Sequence, residues 1–189
     1  MNDAGHPADG WPLTTIAPTV ETSRLQLRSW RKADFRPFHA IVSKPAVHHY
    51  LSTAPMAAED CWRRLMASVG GWMLNGFGTW AVDRKSDGRL IGNIGFFTAW
   101  RALEPEFGEE PEMGWILDPE GQGQGLAAEA CSAALAWLEA HHDATPVWAI
   151  VAPGNQPSLR LADTLGFEAV SETLYNDEPT VVFRRPAWR

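Results

Sequence analysis

The stretch Asp118-Pro119-Glu120-Gly121-Gln122-Gly123-Gln124-Gly125-Leu126-Ala127-Ala128-Glu129-Ala130 constrains this chain more than any other. It follows a strand-like run over 112–117, passes through alternate glycines, and enters an alanine-rich helix that reads to about His141. A glycine-rich loop between a strand and a helix N-terminus is a physical recipe for holding a pyrophosphate. Glycine permits unusual backbone angles and close approach, and the free N–H groups with the helix dipole favour an anion. A Walker loop is excluded, because no Lys-Ser or Lys-Thr follows the glycines. Gly123 to Ala128 formally matches the GxGxxA dinucleotide pattern, but that fold wants its strand directly before the first glycine and repeated βαβ units. Here 118–122 intervene, and the preceding segments read as a strand meander. A purely structural glycine turn and a third pyrophosphate ligand stay open at this point.

The remaining segments read as one mixed α+β domain. Strands are expected over 23–30, 79–83, 90–97, 112–117 and 147–152, with a closing antiparallel pair over 167–174 and 180–184. Helices are expected over 34–42 (ending before Pro45), 56–74, 126–141 and 157–165. The turn Arg84 to Gly88 has hairpin chemistry. Residues 1–20 carry no basic start or apolar stretch of a signal peptide and read as a flexible tail, which leaves the domain at 21–189.

The net charge of -7 argues against a general nucleic-acid binder and is compatible with cationic substrates. No run of roughly 18 apolar residues offers a membrane span. Cys61 and Cys131 fall at apolar helix positions, so buried free thiols in a reducing, cytoplasmic setting are expected. His48-His49 and His141-His142 bring no second ligand cluster, and no metal site is expected. Ten tryptophans are scattered without a repeat and read chiefly as core and rim, with one or two left for a cleft.

Several motifs together resemble the GNAT superfamily of N-acetyltransferases. Gln122-Gly123-Gln124-Gly125-Leu126-Ala127 fits its [Gln/Arg]xxGx[Gly/Ala] signature, and Asn155-Gln156-Pro157-Ser158 with Leu165-Gly166-Phe167 resembles its NxxS…LGF segment. Ser23-Arg24-Leu25-Gln26-Leu27-Arg28, Leu90-Ile91-Gly92 and Glu112-Met113-Gly114-Trp115 resemble the RimJ/RimL branch, which acetylates protein N-termini. The resemblance covers about residues 21–185 and has its parts in the right order. It implies a single GNAT-like domain with a mixed, mostly antiparallel twisted sheet and helices on both faces.

The resemblance also implies acetyl-CoA as co-substrate, with its pyrophosphate on the backbone amides of Gln122, Gly123, Gln124, Gly125, Leu126 and Ala127. The strand before the loop is expected to carry a bulge and to splay from its neighbour. The pantetheine arm then pairs with the backbone at Trp115 and Leu117, and an amide near Trp115 polarises the thioester carbonyl. The amine must attack as a neutral base, so a proton acceptor is needed. Glu112 is the leading candidate, with pairing to an Arg as its structural alternative; Glu106 and Glu110 are weaker choices. Many relatives protonate the leaving thiolate with a Tyr on the helix after Asn155. This chain has only Tyr50 and Tyr175, neither on that helix, so Ser158 is the substitute, with helix capping as its alternative. Asn155 bonds the pantetheine or shapes the turn. The acceptor is a primary amine, on a protein N-terminus or a small molecule, and the protein a monomer or homodimer. A catalytically silent acyl-CoA sensor is the rival from another class.

Overall fold

The computed structural model describes residues 17–51 and 54–188. Eight strands form one sheet: β1 (Val20–Glu21), β2 (Leu25–Arg28), β3 (Thr79–Arg84), β4 (Arg89–Phe97), β5 (Glu112–Leu117), β6 (Val147–Val151), β7 (Glu168–Tyr175) and β8 (Glu178–Arg185). Their order is β1-β2-β3-β4-β5-β6-β8-β7, and every junction is antiparallel except β5–β6. Among the described residues five α-helices accompany the sheet: α1 (Phe35–Val42), α2 (Pro45–His48), α3 (Ala58–Asn75), α4 (Leu126–His141) and α5 (Gln156–Thr164).

Helix α4 turns Leu126, Ala130, Ala134 and Leu138 toward the sheet, each four residues on from the last and each buried. The alanines let the helix axis approach the strands closely. Beside it, Trp72, Trp80 and Trp137 meet edge to face at centroid distances of 4.6, 5.2 and 5.2 Å, so part of the tryptophan set is core as expected. A second apolar cluster joins Phe38, Ile41 and Val42 of α1, Val47 of α2, Cys61 of α3 and Ile116 of β5. On β5, Met113 and Leu117 belong to the α4 cluster while Ile116 belongs to this one, so helices lie on both faces of the sheet.

A buried Arg28 ties the edge of the sheet to α1. Its guanidinium donates to both oxygens of Asp34 (2.7 and 2.9 Å) and both of Asp83 (2.6 and 2.9 Å). Two boundaries differ from the sequence reading. Pro45 opens α2 instead of only stopping α1, because its fixed φ and missing N–H suit a first helical position. Ala17 exchanges hydrogen bonds with the Ser29 hydroxyl, Pro18 O accepts from Trp80 Nε1, and Val20 pairs in β1. Residues 17–20 of the expected tail are therefore packed into the fold; residues 1–16 lie outside the described residues.

Candidate active site

The glycine loop ends β5 and launches α4. Gly123 and Gly125 both hold φ of +73°, where a side chain would be strained, and Gly125 is the N-cap of α4 without any side-chain cap. Six successive amides, from Gly123 to Ala128, donate to no acceptor among the described residues; the first helical bond is Glu129 N–H to Gly125 O. The Gln122 amide differs, since it is spent on Pro119 O at 3.1 Å. That removes Gln122 from the set of expected backbone donors.

The loop is clamped from the far edge of the sheet. Arg24 Nη1 donates to Gln124 O at 2.8 Å, and Arg24 Nε donates to Glu129 at 2.6 Å. Glu129 also accepts from the Thr22 and Ser23 hydroxyls and from the Arg24 amide. Burial opposes ionisation there, but these donors prevail and hold the carboxyl near about 2. On the other side Asp118 accepts from Glu120 N–H and from Lys44 Nζ, fixing the turn between β5 and the glycines.

Strands β5 and β6 touch at one register pair, Glu112 with Trp148, backed by Trp148 N–H to Pro111 O at 2.9 Å. Beyond it the strands part. Asp118 N–H donates to Ile91 O of β4, so by strand alternation Ile116 and Gly114 also face β4. The backbone groups of Trp115 and Leu117 therefore face the opening. The β5 bulge that the resemblance implied is absent: the β4–β5 register runs unbroken from Gly92–Leu117 to Phe97–Glu112. Register shifts lie elsewhere in the sheet: one junction over, between Val82 and Asp83 against β4, where Ile91 is the extra residue, and between Ala169 and Ser171 against β8.

Across the opening, α5 presents Asn155 and Ser158. Asn155 Oδ1 accepts from Ser158 N–H at 3.2 Å and is thus the helix cap. Capping falls to Asn155, and Ser158 is the residue capped. The Ser158 hydroxyl accepts from Trp115 Nε1 at 3.1 Å and keeps its own hydrogen to donate.

Glu112 is 2% exposed, and both its oxygens accept from Arg101, at 2.5 and 2.8 Å. Burial pushes its carboxyl up, with Arg101 and then Arg64 pulling the other way. Of its two sequence readings, the geometry matches the ion pair, since neither oxygen is open to an incoming amine. Arg101 also lies over the Tyr175 ring, 4.7 Å from its centroid. The acidic loop is pinned by Leu103 and Phe107 against Trp148 and Val182, and Glu110 accepts from the Trp148 indole. Glu104 and Glu106 line a groove with Leu103 and with Thr173 of β7. Tyr50 reaches from beyond α2 to donate to Gly154 O at 3.4 Å, at the turn after β6. Both tyrosines therefore flank the opened region, which their positions in sequence gave no means of seeing. Cys61 and Cys131 are buried with thiols pushed up by burial, so neither is a nucleophile.

A mostly antiparallel sheet that opens at its one parallel junction, with a loop of free amides at the end of the opened strand, defines the acyltransferase class. The acetyltransferase (GNAT) domain family matches residues 24–168, and the chain belongs to that family. It is similar to an uncharacterised N-acetyltransferase, YnaD, of Bacillus subtilis, at 26% identity over 78% of this chain and 81% of that one. Among solved structures it resembles a GNAT-family acetyltransferase of Bordetella pertussis with TM-score 0.78 and 29% identity, covering 89% and 99% of the two chains. The fold also matches RimL, a ribosomal L7/L12 α-N-protein acetyltransferase solved with coenzyme A, with TM-score 0.71 at 16% identity over 89% and 98%.

Proposed function

We propose that this protein transfers the acetyl group of acetyl-CoA to a primary amine by direct attack in a ternary complex. The observation that carries the reading is the row of six free amides from Gly123 to Ala128 at the mouth of the β5–β6 opening. A pyrophosphate satisfies such donors, and the α4 dipole adds to the attraction. In this reading Gly123, Gln124, Gly125, Leu126 and Ala127 hold the pyrophosphate, and Trp115 and Leu117 pair through their backbones with the pantetheine arm. Asn155 shapes the turn that carries Ser158.

Acetyl-CoA supplies the activated carbonyl. The amine nitrogen bonds to that carbon as the carbon–sulfur bond breaks, the nitrogen proton leaves to water in the cleft, and the sulfur gains one from Ser158 or solvent. Glu112 serves this arrangement by fixing Arg101. The acceptor is a protein N-terminus or a small amine, the first supported by the fold shared with RimL.

Titration calorimetry with acetyl-CoA, followed by thiol release over amines and N-terminal peptides, tests the reading. Binding with release supports it. Binding without release from any acceptor favours the sensor alternative, and absence of binding removes the glycine-loop assignment.

A further inference from the structure

We infer that Arg64, beside an Arg101 held by Glu112, is an anion-recognising subsite at the acetyl end of the cleft, and that the acceptor amine carries a carboxylate. The inference rests on the transferase reading above, because that reading sets the direction of the donor. With the pyrophosphate at the glycine loop, the arm runs along β5 from Leu117 toward Glu112, with the thioester near Trp115 and the Glu112 end of the strand left to the acceptor.

The face of β5 that bears Ile116 also bears Glu112, since side chains alternate. Ile116 packs in one cluster with Cys61 of α3, and Arg64 lies one helical turn beyond Cys61. Arg64 is half-buried and interacts electrostatically with Arg101, Cys61 and Glu112. Its guanidinium forms no ion pair or hydrogen bond among the described residues. Glu112 has nothing left for it, because Arg101 takes both carboxylate oxygens. Arg64 thus stands near a carboxylate that pairs with Arg101 alone, while the neighbouring Glu110 is engaged by the Trp148 indole, and the Arg64 charge has no counter-ion bonded to it among the described residues.

A half-buried cation without a partner is costly, and a ligand anion relieves it. The planar fork of a guanidinium matches a carboxylate in two parallel hydrogen bonds. The unpaired Arg64 guanidinium repels an ammonium brought against it, so a second cationic group at that spot is disfavoured. An amine and a carboxylate on one small molecule satisfy both demands.

The test measures thiol release from acetyl-CoA with the twenty common amino acids, their carboxamides and spermidine, in the native protein and in Arg64→Gln and Arg64→Lys. At least one amino acid is expected to outperform its carboxamide by about tenfold or more in kcat/KM, the value of one good charged contact. Arg64→Gln erases that ratio through the acceptor KM and leaves the acetyl-CoA KM within about twofold, and Arg64→Lys restores part of it. Carboxamides or spermidine turned over as well as the acids, or an unchanged ratio in a folded Arg64→Gln, overturn the inference. If no amine releases thiol, melting of the acetyl-CoA-loaded protein decides. A stabilisation by amino acids that is absent with carboxamides and lost in Arg64→Gln upholds the subsite while removing the transferase reading. No such stabilisation removes the subsite.

Discussion

The indole Nε1 of Trp115 on β5 donates to Oγ of Ser158 on α5 at 3.1 Å, joining the two walls of the opening on the side that faces α4. The bond points the Ser158 lone pair at the indole and leaves the hydroxyl hydrogen for another acceptor. Ser158→Ala is expected to lower kcat by about 100-fold with the acetyl-CoA KM within about twofold, as for loss of a general acid. Trp115→Phe removes the bond but not the hydroxyl, and costs less turnover than Ser158→Ala. Steady-state kinetics on both variants checks this; equal small losses would reduce Ser158 to a packing role.

Gly125 carries φ of +73° at the N-cap of α4, and a β-carbon there would lie 3.7 Å from Arg24 Nη2. A side chain at this φ costs about 1–2 kcal/mol, and a large one also fills the space in front of the free amides. Gly125→Trp is expected to cut acetyl-CoA affinity by more than about 100-fold (roughly 3 kcal/mol) while melting stays cooperative. Calorimetry beside thermal unfolding separates the two effects. Unchanged affinity would place the pyrophosphate elsewhere.

Glu129 gives the loop a pH dependence of known sign. Its carboxyl is held at about 2 in the fold against an ordinary 4.5. The stabilisation is therefore complete above about pH 4.5 and is lost as pH falls toward about 2. Glu129→Gln should flatten the melting-temperature curve across that window and lower it at pH 7 by several degrees, on the order of 2 kcal/mol for lost charged hydrogen bonds. Acetyl-CoA affinity should fall with it, because Arg24 loses the partner that aims it at Gln124 O. Coincident curves would mean that Glu129 does not bear on stability, and parallel but offset ones that its contribution does not depend on ionisation.

What was legible in the sequence was whatever a local pattern controls. The span Glu112–Leu117, the α4 register and the glycine turn follow from alternation, four-residue spacing and glycine chemistry, and the structure reproduces them. The backbone directions of Trp115 and Leu117 also follow, because alternation fixes them once one neighbour is known. The clamp on the loop was not legible, since Arg24 and Glu129 are 105 residues apart and only the fold brings them together. Arg64, Arg101, Tyr50 and Tyr175 were out of reach for the same reason: each comes to the cleft from a different element. Glu112 was seen, but its partner was not, and the partner decides what the carboxylate can do.

Replacing Glu112 separates its two roles. If the carboxylate chiefly holds Arg101, Glu112→Gln leaves Arg101 and Arg64 together without a counter-charge in a half-buried place. Breaking a buried pair in this way costs about 3–5 kcal/mol, so the melting temperature should fall by about 10 °C in a protein of this size. Turnover of the molecules still folded, measured well below the new transition, should fall by less than about tenfold. Arg101→Gln should destabilise by a similar amount, and the double variant by less than the sum of the two, because the second change removes a charge the first had stranded. A Glu112→Gln protein that melts where the native one does yet loses about 100-fold or more in kcat would instead make the carboxylate the base.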